Sequence, residues 1–372
     1  MLKLAQDIGR FGTKTNTFCS NPHNKVILNS WGDVSMCCYQ MVQLGRLDAT
    51  TEVLDLWRGP LANEIRKQTE AGQLHPVCGQ GTACPYKVKP KKSGPAPTYA
   101  NSFYPTWLEI CLPDRHCNIG GYEPSEENPA CIMCIRNFVK PQQEDLTDML
   151  CEKARPLMPY LTQFSVLGIA EPFWQNAVFR IFEKVRFDFE KHHIRFTTNT
   201  NGICLTEKVC RRFFDNVDWS EISWSLDAAT PATHKKIRRL DALDKVVANL
   251  RRWIKIRDEI GKGWHHRTTI YNNINMLNVH EMTAMVEMAA DIGVDSIWML
   301  PTYDQAGVVQ LGDLILNQNN VGIFKENSLK AQERAKELKM DLQYIKPFDV
   351  APLVDKKAAS EIQELVQISF PR

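Results

Sequence analysis

The sequence predicts the α/β class: a parallel sheet with helices outside, either an open sheet or part of a barrel, with a smaller N-terminal unit ahead of it. Three observations lead there. From Tyr104 onward, short apolar strand patterns alternate with helical ones in six β-then-α units, the sequence form of a parallel sheet flanked by helices. Before that run, a stretch at 87–102 with four lysines, three prolines and a glycine breaks the chain as a linker would. The 372 residues suffice for two such units and a sizeable core.

The elements follow in order. Lys25–Met36 reads as a hairpin with Trp31-Gly32-Asp33 at its turn. A helix is expected from about Ala49 to Gly72, because Leu54, Trp57, Leu61 and Ile65 recur at helical spacing. The strands expected of the parallel sheet are Trp107–Leu112, Gln163–Gly168, Ile194–Thr198, Glu221–Leu226, His266–Tyr271 and Ser296–Leu300. Between them lie helical patterns such as Leu240–Asp258 and Val279–Ile292. A helix at Lys330–Lys339, a strand at Leu342–Ile345 and an amphipathic tail at Asp355–Phe370 complete the reading. The expected domains are therefore 1–86, a linker at 87–102, a core at 103–348 and a tail at 349–372.

Charge and composition exclude several classes. A formal net charge of +2 argues against a nucleic-acid binder, and the short lysine run at 87–92 is read as solvated linker. No apolar stretch reaches the length of a membrane span, and the first residues lack the apolar core of a signal peptide. A cytoplasmic location is expected. Twelve cysteines in such a chain are then metal ligands or buried thiols rather than disulfides. Cys111, Cys151, Cys204 and Cys210 are scattered along strands and helices and read as small buried hydrophobes.

Cys117, Cys131 and Cys134 are different, since they crowd into one loop just after the first strand of that sheet. Three thiolates can hold three irons of a 4Fe–4S cube and leave the fourth without a protein ligand. A structural metal site would close its shell with four. In parallel α/β sheets the reactive groups gather at the carboxyl ends of the strands, where this loop and the polar motifs below all fall.

Here the residues resemble a family. Cys117 followed by Cys131-Ile-Met-Cys134 is similar to the cluster loop of radical S-adenosylmethionine (SAM) enzymes, with C-x13-C-x2-C in place of the usual C-x3-C-x2-C and an apparent insertion at Gly120–Ala130. Gly168-Ile-Ala-Glu171-Pro172 resembles the family's Gly-Gly-Glu-Pro, Thr198-Asn-Thr-Asn201-Gly202 its Thr-Asn-Gly, and Ser225-Leu-Asp227 its Ser-x-Asp. The N-terminal segment resembles the auxiliary-cluster domain called SPASM, or twitch in its shorter form. It has Cys19-x12-Gly32-x4-Cys37, Leu44-Gly45-Arg46-Leu47, Asp55-Leu56-Trp57 and Cys78-x5-Cys84. That domain follows the barrel in the relatives and precedes it here, as a circular permutation would arrange.

The resemblance implies a fold, a partial (β/α)6 barrel of the radical SAM type with a small N-terminal α+β auxiliary-cluster domain, and with it an activity and a site. A SAM-binding 4Fe–4S cluster on Cys117, Cys131 and Cys134 would cleave SAM reductively. The resulting 5′-deoxyadenosyl radical would abstract hydrogen from an unactivated C–H bond of a small molecule or peptide. A second 4Fe–4S cluster is implied on Cys19, Cys37, Cys78 and Cys84, with Cys38 able to replace Cys37. It could take an electron from the substrate and make the reaction a net oxidation. Gly168 and Glu171 would hold the SAM amino group, Asn201, Ser225 and Asp227 the ribose and substrate, Arg238 or Arg239 the SAM carboxylate, and Met133 the adenine. Asn278 fits an Asn-x-x-Glu helix start, for which an ordinary N-cap suffices. Asp227, His234 and Asp304 are candidate bases by position, Asp304 preferred because it follows the sixth strand. A reducing partner such as flavodoxin or ferredoxin is implied. The contrasting reading is a noncatalytic iron–sulfur or zinc protein that binds a partner.

Overall fold

The computed structural model describes residues 19–37, 42–73, 75–79, 103–113, 116–138, 144–186, 193–261, 263, 265–302, 311–315 and 319–344. The linker, the tail, Cys38, Cys84 and Asp304 lie outside these residues.

The strands form one mixed sheet in the order β10-β9-β8-β7-β6-β5-β4-β1-β2-β3. β4 (Trp107–Cys111), β5 (Gln163–Leu167), β6 (Arg195–Thr200), β7 (Ser220–Ser225), β8 (His266–Ile274) and β9 (Ser296–Pro301) are the six expected strands. β10 (Asp341–Tyr344) extends them, and each pairs in parallel with the next in sequence. A strictly sequential order winds every crossover the same way and puts the helices on one face. It is the winding of a barrel wall, not of a doubly wound sheet. Among the described residues the wall stays open, with β3 and β10 at its edges.

The other three strands belong to the N-terminal segment. β1 (Lys25–Leu28) and β2 (Asp33–Ser35) form the expected hairpin, its turn held by Asn29 Oδ1, which accepts the backbone N–H of Trp31 and Asp33. β3 (Gln43–Arg46) adds an antiparallel edge. β1 then pairs in parallel with β4, so the hairpin continues the barrel's own sheet. The seam is tied by charge. Lys25 Nζ lies 2.7 Å from Glu109 Oε2 and 3.9 Å from the centre of the Trp107 ring, with both charged side chains buried. The single helix expected at 49–72 is two, α1 (Val53–Trp57) and α2 (Pro60–Glu70). Pro60 has no N–H to continue α1, and Gly59 turns extended before it.

The helices that matter for the site are α3 (Thr147–Ala154), α4 (Ala177–Val185), α5 (Glu207–Asn216), α6 (Pro231–Arg238), α7 (Leu243–Glu259), α8 (Met282–Ile292) and α9 (Val321–Glu337). Their apolar stripes meet Leu108, Ile110, Phe164, Val166, Phe196, Ile222, Trp224, Ile270, Ile297 and Met299, all fully buried on one face of the sheet. Because side chains alternate along a strand, the intervening residues define the opposite face. That face is polar and cross-linked. Trp107 Nε1 donates to Ser165 Oγ at 2.8 Å, Ser165 and Thr197 share a 2.6 Å bond, and Arg195 reaches Gln163 at 2.5 Å and Glu221 at 3.3 Å. Cys151 and Cys210 are fully buried in the core, while Cys111 and Cys204 are half-buried. Among the described residues no helix is long and apolar enough to cross a membrane.

Candidate active site

The strand ends β4 to β8 converge on the loop that carries Cys117, Cys131 and Cys134. The long excursion between the first two cysteines is held by two side chains just past the third. Arg136 Nη1 donates to the Ile119 carbonyl at 2.9 Å, and its Nη2 reaches that of Gly121. Asn137 accepts the Ala130 N–H at 3.0 Å and donates to the Cys131 carbonyl at 2.8 Å. The insertion is thus a folded part of the loop. Its Tyr122 packs on Trp174, ring centres 5.0 Å apart, and donates to Gln175 Oε1 at 2.8 Å. This docks it on the segment that follows Glu171-Pro172.

Cys131 is buried, and Cys117 and Cys134 are half-buried within electrostatic reach of it. Burial pushes the Cys117 thiol up to about 12 and the Cys134 thiol up to about 11, and the Cys131 charge works in the same direction on both. Burial raises the Cys131 thiol as well. Two guanidinium groups oppose that trend, Arg136 at Cys117 and Cys134, and Arg238 at Cys131 and Cys134. Among the described residues no group of three or more His, Cys, Asp or Glu is spaced to hold a metal ion. A single ion draws its ligands to one point, with Zn–S at about 2.3 Å. A cube instead takes each thiolate on a separate iron, so three soft donors from one loop, faced by guanidinium groups, fit an iron–sulfur cluster by their chemistry.

The motifs at the neighbouring strand ends touch this loop or one another. Gly168 sits at φ +111° after β5, where a Cβ would come within 3.1 Å of the Leu112 carbonyl. Glu171 is 1 % exposed. It accepts from Thr200 Oγ1 at 2.6 Å, the Asn201 N–H at 2.6 Å and the Phe173 N–H at 3.2 Å, while its own N–H donates to the His116 carbonyl at 2.6 Å. Burial outweighs these bonds and raises its carboxyl to about 7. Glu171 therefore ties the end of β6 to the cluster loop. Asn201, aimed by that tie, donates to Asn118 Oδ1 at 2.8 Å and lies 4.0 Å from Cys117 Sγ.

Gly202 follows at φ +76°, where any Cβ would strike the Trp224 ring and come within 3.2 Å of Val246. Gly202→Ala is expected to cost about 2–4 kcal/mol, from left-handed strain plus overpacking, measured as the shift in urea midpoint. A midpoint shift worth less than about 1 kcal/mol would show that this turn relaxes freely.

Asp227, just past β7, is completely buried. It accepts the Asn273 N–H at 2.7 Å and pairs with Arg238 Nη2 at 2.5 Å. Arg238, on the last turn of α6, also donates from Nη1 to Cys131 Sγ at 3.8 Å. Ser225 ends β7 on the polar face, opposite Tyr271 of β8. Met133 is half-buried in the turn between Cys131 and Cys134. His234 is buried and donates to the Leu240 carbonyl at 3.1 Å, so it braces the end of α6. Arg239 takes a left-handed conformation and stops that helix.

Asn278 does not cap a helix with its side chain. Its Nδ2 donates to the carbonyls of Asp227 at 2.6 Å and Asn273 at 2.8 Å, bridging β7 and β8, because a loop that buries two carbonyls needs a donor between them. Glu281, three residues on, receives the Ala229 N–H at 2.7 Å and the Thr230 hydroxyl at 2.6 Å. The Asn-x-x-Glu spacing was the available signal for this pair. No sequence signal marked Arg136. In the N-terminal segment, Cys19 precedes a short turn at Asn21–Asn24, Cys37 follows β2, and Cys78 lies in a turn at Pro76–Gly79.

Residues 19–85 match the SPASM family, an iron–sulfur cluster-binding domain. The matched segment starts at Cys19, includes Cys37, Cys78 and Cys84, and lies before the barrel strands. No curated protein matches the chain. Among solved structures, the fold is similar to Streptococcus suis SuiB bound to its precursor peptide SuiA, with 11% identity and a TM-score of 0.48 over 88% of this chain and 72% of that one. It is similar to SuiB bound to S-adenosylmethionine with 12% identity and a TM-score of 0.44 over 65% of this chain, which spans 47% of that relative's length. A radical SAM methyltransferase from Sphaerobacter thermophilus is similar with 16% identity and a TM-score of 0.40 over 63% of this chain and 64% of that one.

Proposed function

We propose that this chain, which carries a SPASM iron–sulfur cluster-binding domain at residues 19–85, is a radical SAM enzyme. One observation carries the reading: the three-cysteine loop is contacted by the polar motifs of successive strand ends, Asn201 at Cys117 and Arg238 at Cys131, with Glu171 setting the position of Asn201. A purely structural metal loop needs no such converging set of buried acid, amide and guanidinium.

In this proposal Cys117, Cys131 and Cys134 hold one 4Fe–4S cluster, and Cys19, Cys37, Cys78 and Cys84 hold the second. When bound, the first cluster and SAM together supply the electron and the carbon radical needed to break an unactivated C–H bond. The protein's own residues do the rest. Gly168 lets β4 and β5 approach closely enough to wall the site. Glu171 fixes the turn at Asn201-Gly202, Ser225 offers a hydroxyl from the polar face, and Met133 offers an apolar surface beside the cysteines. Buried apolar residues beneath the strand ends keep water from a reactive centre. The polar face of the sheet near its carboxyl ends, with Ser223, Ser225 and Tyr271, suits a hydrogen-bonding substrate, either a polar small molecule or a peptide. A flavodoxin- or ferredoxin-like reductant and a cytoplasmic setting complete the proposal.

The test is direct. Anaerobically reconstituted protein reduced with dithionite should release 5′-deoxyadenosine from SAM. Protein with its full iron load that forms none would favour a noncatalytic iron–sulfur protein that binds a partner.

A further inference from the structure

We infer that Arg238 is a positioning residue for the cluster on Cys117, Cys131 and Cys134: anchored by Asp227, it donates an N–H to the Cys131 sulfur and sets the reduction potential there. The inference rests on the functional reading above and adds to it a residue that acts on the cluster rather than on substrate.

The geometry is that of a braced donor. Arg238 Nη1 is 3.8 Å from Cys131 Sγ, and Nη2 is 2.5 Å from Asp227 Oδ2. Asp227 is itself immobilised, since its carboxylate takes the Asn273 N–H and its carbonyl takes Asn278 Nδ2. The backbone closes the arrangement from the other side. The Ile132 N–H donates to the Ile237 carbonyl at 2.9 Å, and the Cys131 thiol lies 3.9 Å from the Arg238 carbonyl. The last turn of α6 is thus fastened to the cluster loop by the Arg238–Cys131 and Ile132–Ile237 bonds. A planar guanidinium can serve a sulfur and a carboxylate at once with fixed geometry, which an ammonium cannot.

With both terminal nitrogens engaged, Arg238 has another use than pairing with the carboxylate of SAM. Reduction adds negative charge to a cluster. A buried cation and an N–H donor at one ligand sulfur stabilise the reduced form and raise the potential. Asp227 offsets part of that effect while holding the guanidinium in place.

The test reads the potential, not turnover. The full chain is reconstituted with iron and sulfide and titrated with dithionite while its electron paramagnetic resonance is followed. The signal of interest is the one that changes when SAM is added. Arg238→Gln is expected to lower the reduced fraction of that signal at least tenfold at fixed potential, equivalent to about 59 mV for one electron. Asp227→Asn keeps shape and leaves the guanidinium less neutralised, so it should move the potential the opposite way.

If Arg238→Gln fails to hold iron, the sign of the Asp227→Asn shift still decides, and an unchanged or lowered potential overturns the inference. An unchanged potential in an iron-loaded Arg238→Gln protein, with SAM binding weakened tenfold or more, would also overturn it and return Arg238 to the carboxylate of SAM. If no signal in the unaltered protein responds to SAM, the functional reading itself fails, and the inference with it.

Discussion

Replacing Cys117, Cys131 and Cys134 together by alanine should leave a protein that holds about four irons per chain instead of about eight and no longer makes 5′-deoxyadenosine. The two halves of this result have separate causes. The three cysteines share one loop, fixed by Arg136 and Asn137 through backbone carbonyls and one N–H, so the loop keeps its shape when the sulfurs are gone. Cys19, Cys37 and Cys78 of the SPASM segment belong to other elements, around the β1–β2 hairpin and the Pro76–Gly79 turn. Their cluster should survive. Iron and sulfide analysis with absorption spectra checks the first half, and chromatography of the SAM reaction checks the second. Loss of all iron would contradict the two-site assignment. Retention of about eight irons would move the cluster to other ligands.

The second large effect is expected at the seam between β1 and β4. Lys25→Ala leaves Glu109 buried without its counter-ion, and breaking such a pair typically costs about 3–5 kcal/mol. Lys25→Met combined with Glu109→Leu removes both charges and fills their volume, and it should recover most of that loss. Urea unfolding of the two variants and the unaltered chain, in the same iron state, measures the difference. A Lys25→Ala protein within about 1 kcal/mol of the original would mean that water reaches Glu109 and the pair contributes little.

Much of this architecture was legible in the sequence, and the reasons are local. The strands β4 to β9 announce themselves by short apolar runs between helical periods, and a parallel order with the motifs at the carboxyl ends follows from general rules of winding. The hairpin at β1–β2 was visible through Trp31-Gly32-Asp33. The break between α1 and α2 was also written there, in Gly59-Pro60, but the helical spacing of Leu54, Trp57, Leu61 and Ile65 masked it. What the sequence withheld were pairings across long separations. Nothing near Lys25 indicates that it meets Glu109, 84 positions away (109 − 25), or that β1 lies in the barrel's own sheet. Asn278 reads as a helix cap because capping is decided within four residues, whereas its side chain binds the carbonyls of Asp227, just past β7, and of Asn273 in β8. Arg238 suggests an anion by charge alone, and only the fold reveals the sulfur beside it.

The parallel pairing of β1 with β4 has a consequence for how the chain is made. The ribosome delivers Lys25–Leu28 well before Trp107–Cys111, so the hairpin must wait, one flank unsatisfied, until its neighbour emerges. Closing so long a loop is slow to begin but only weakly dependent on further length. Until β4 is made, the flank of β1 that it later covers has no strand to bond, so the N-terminal segment completes its sheet only as the wall begins to form.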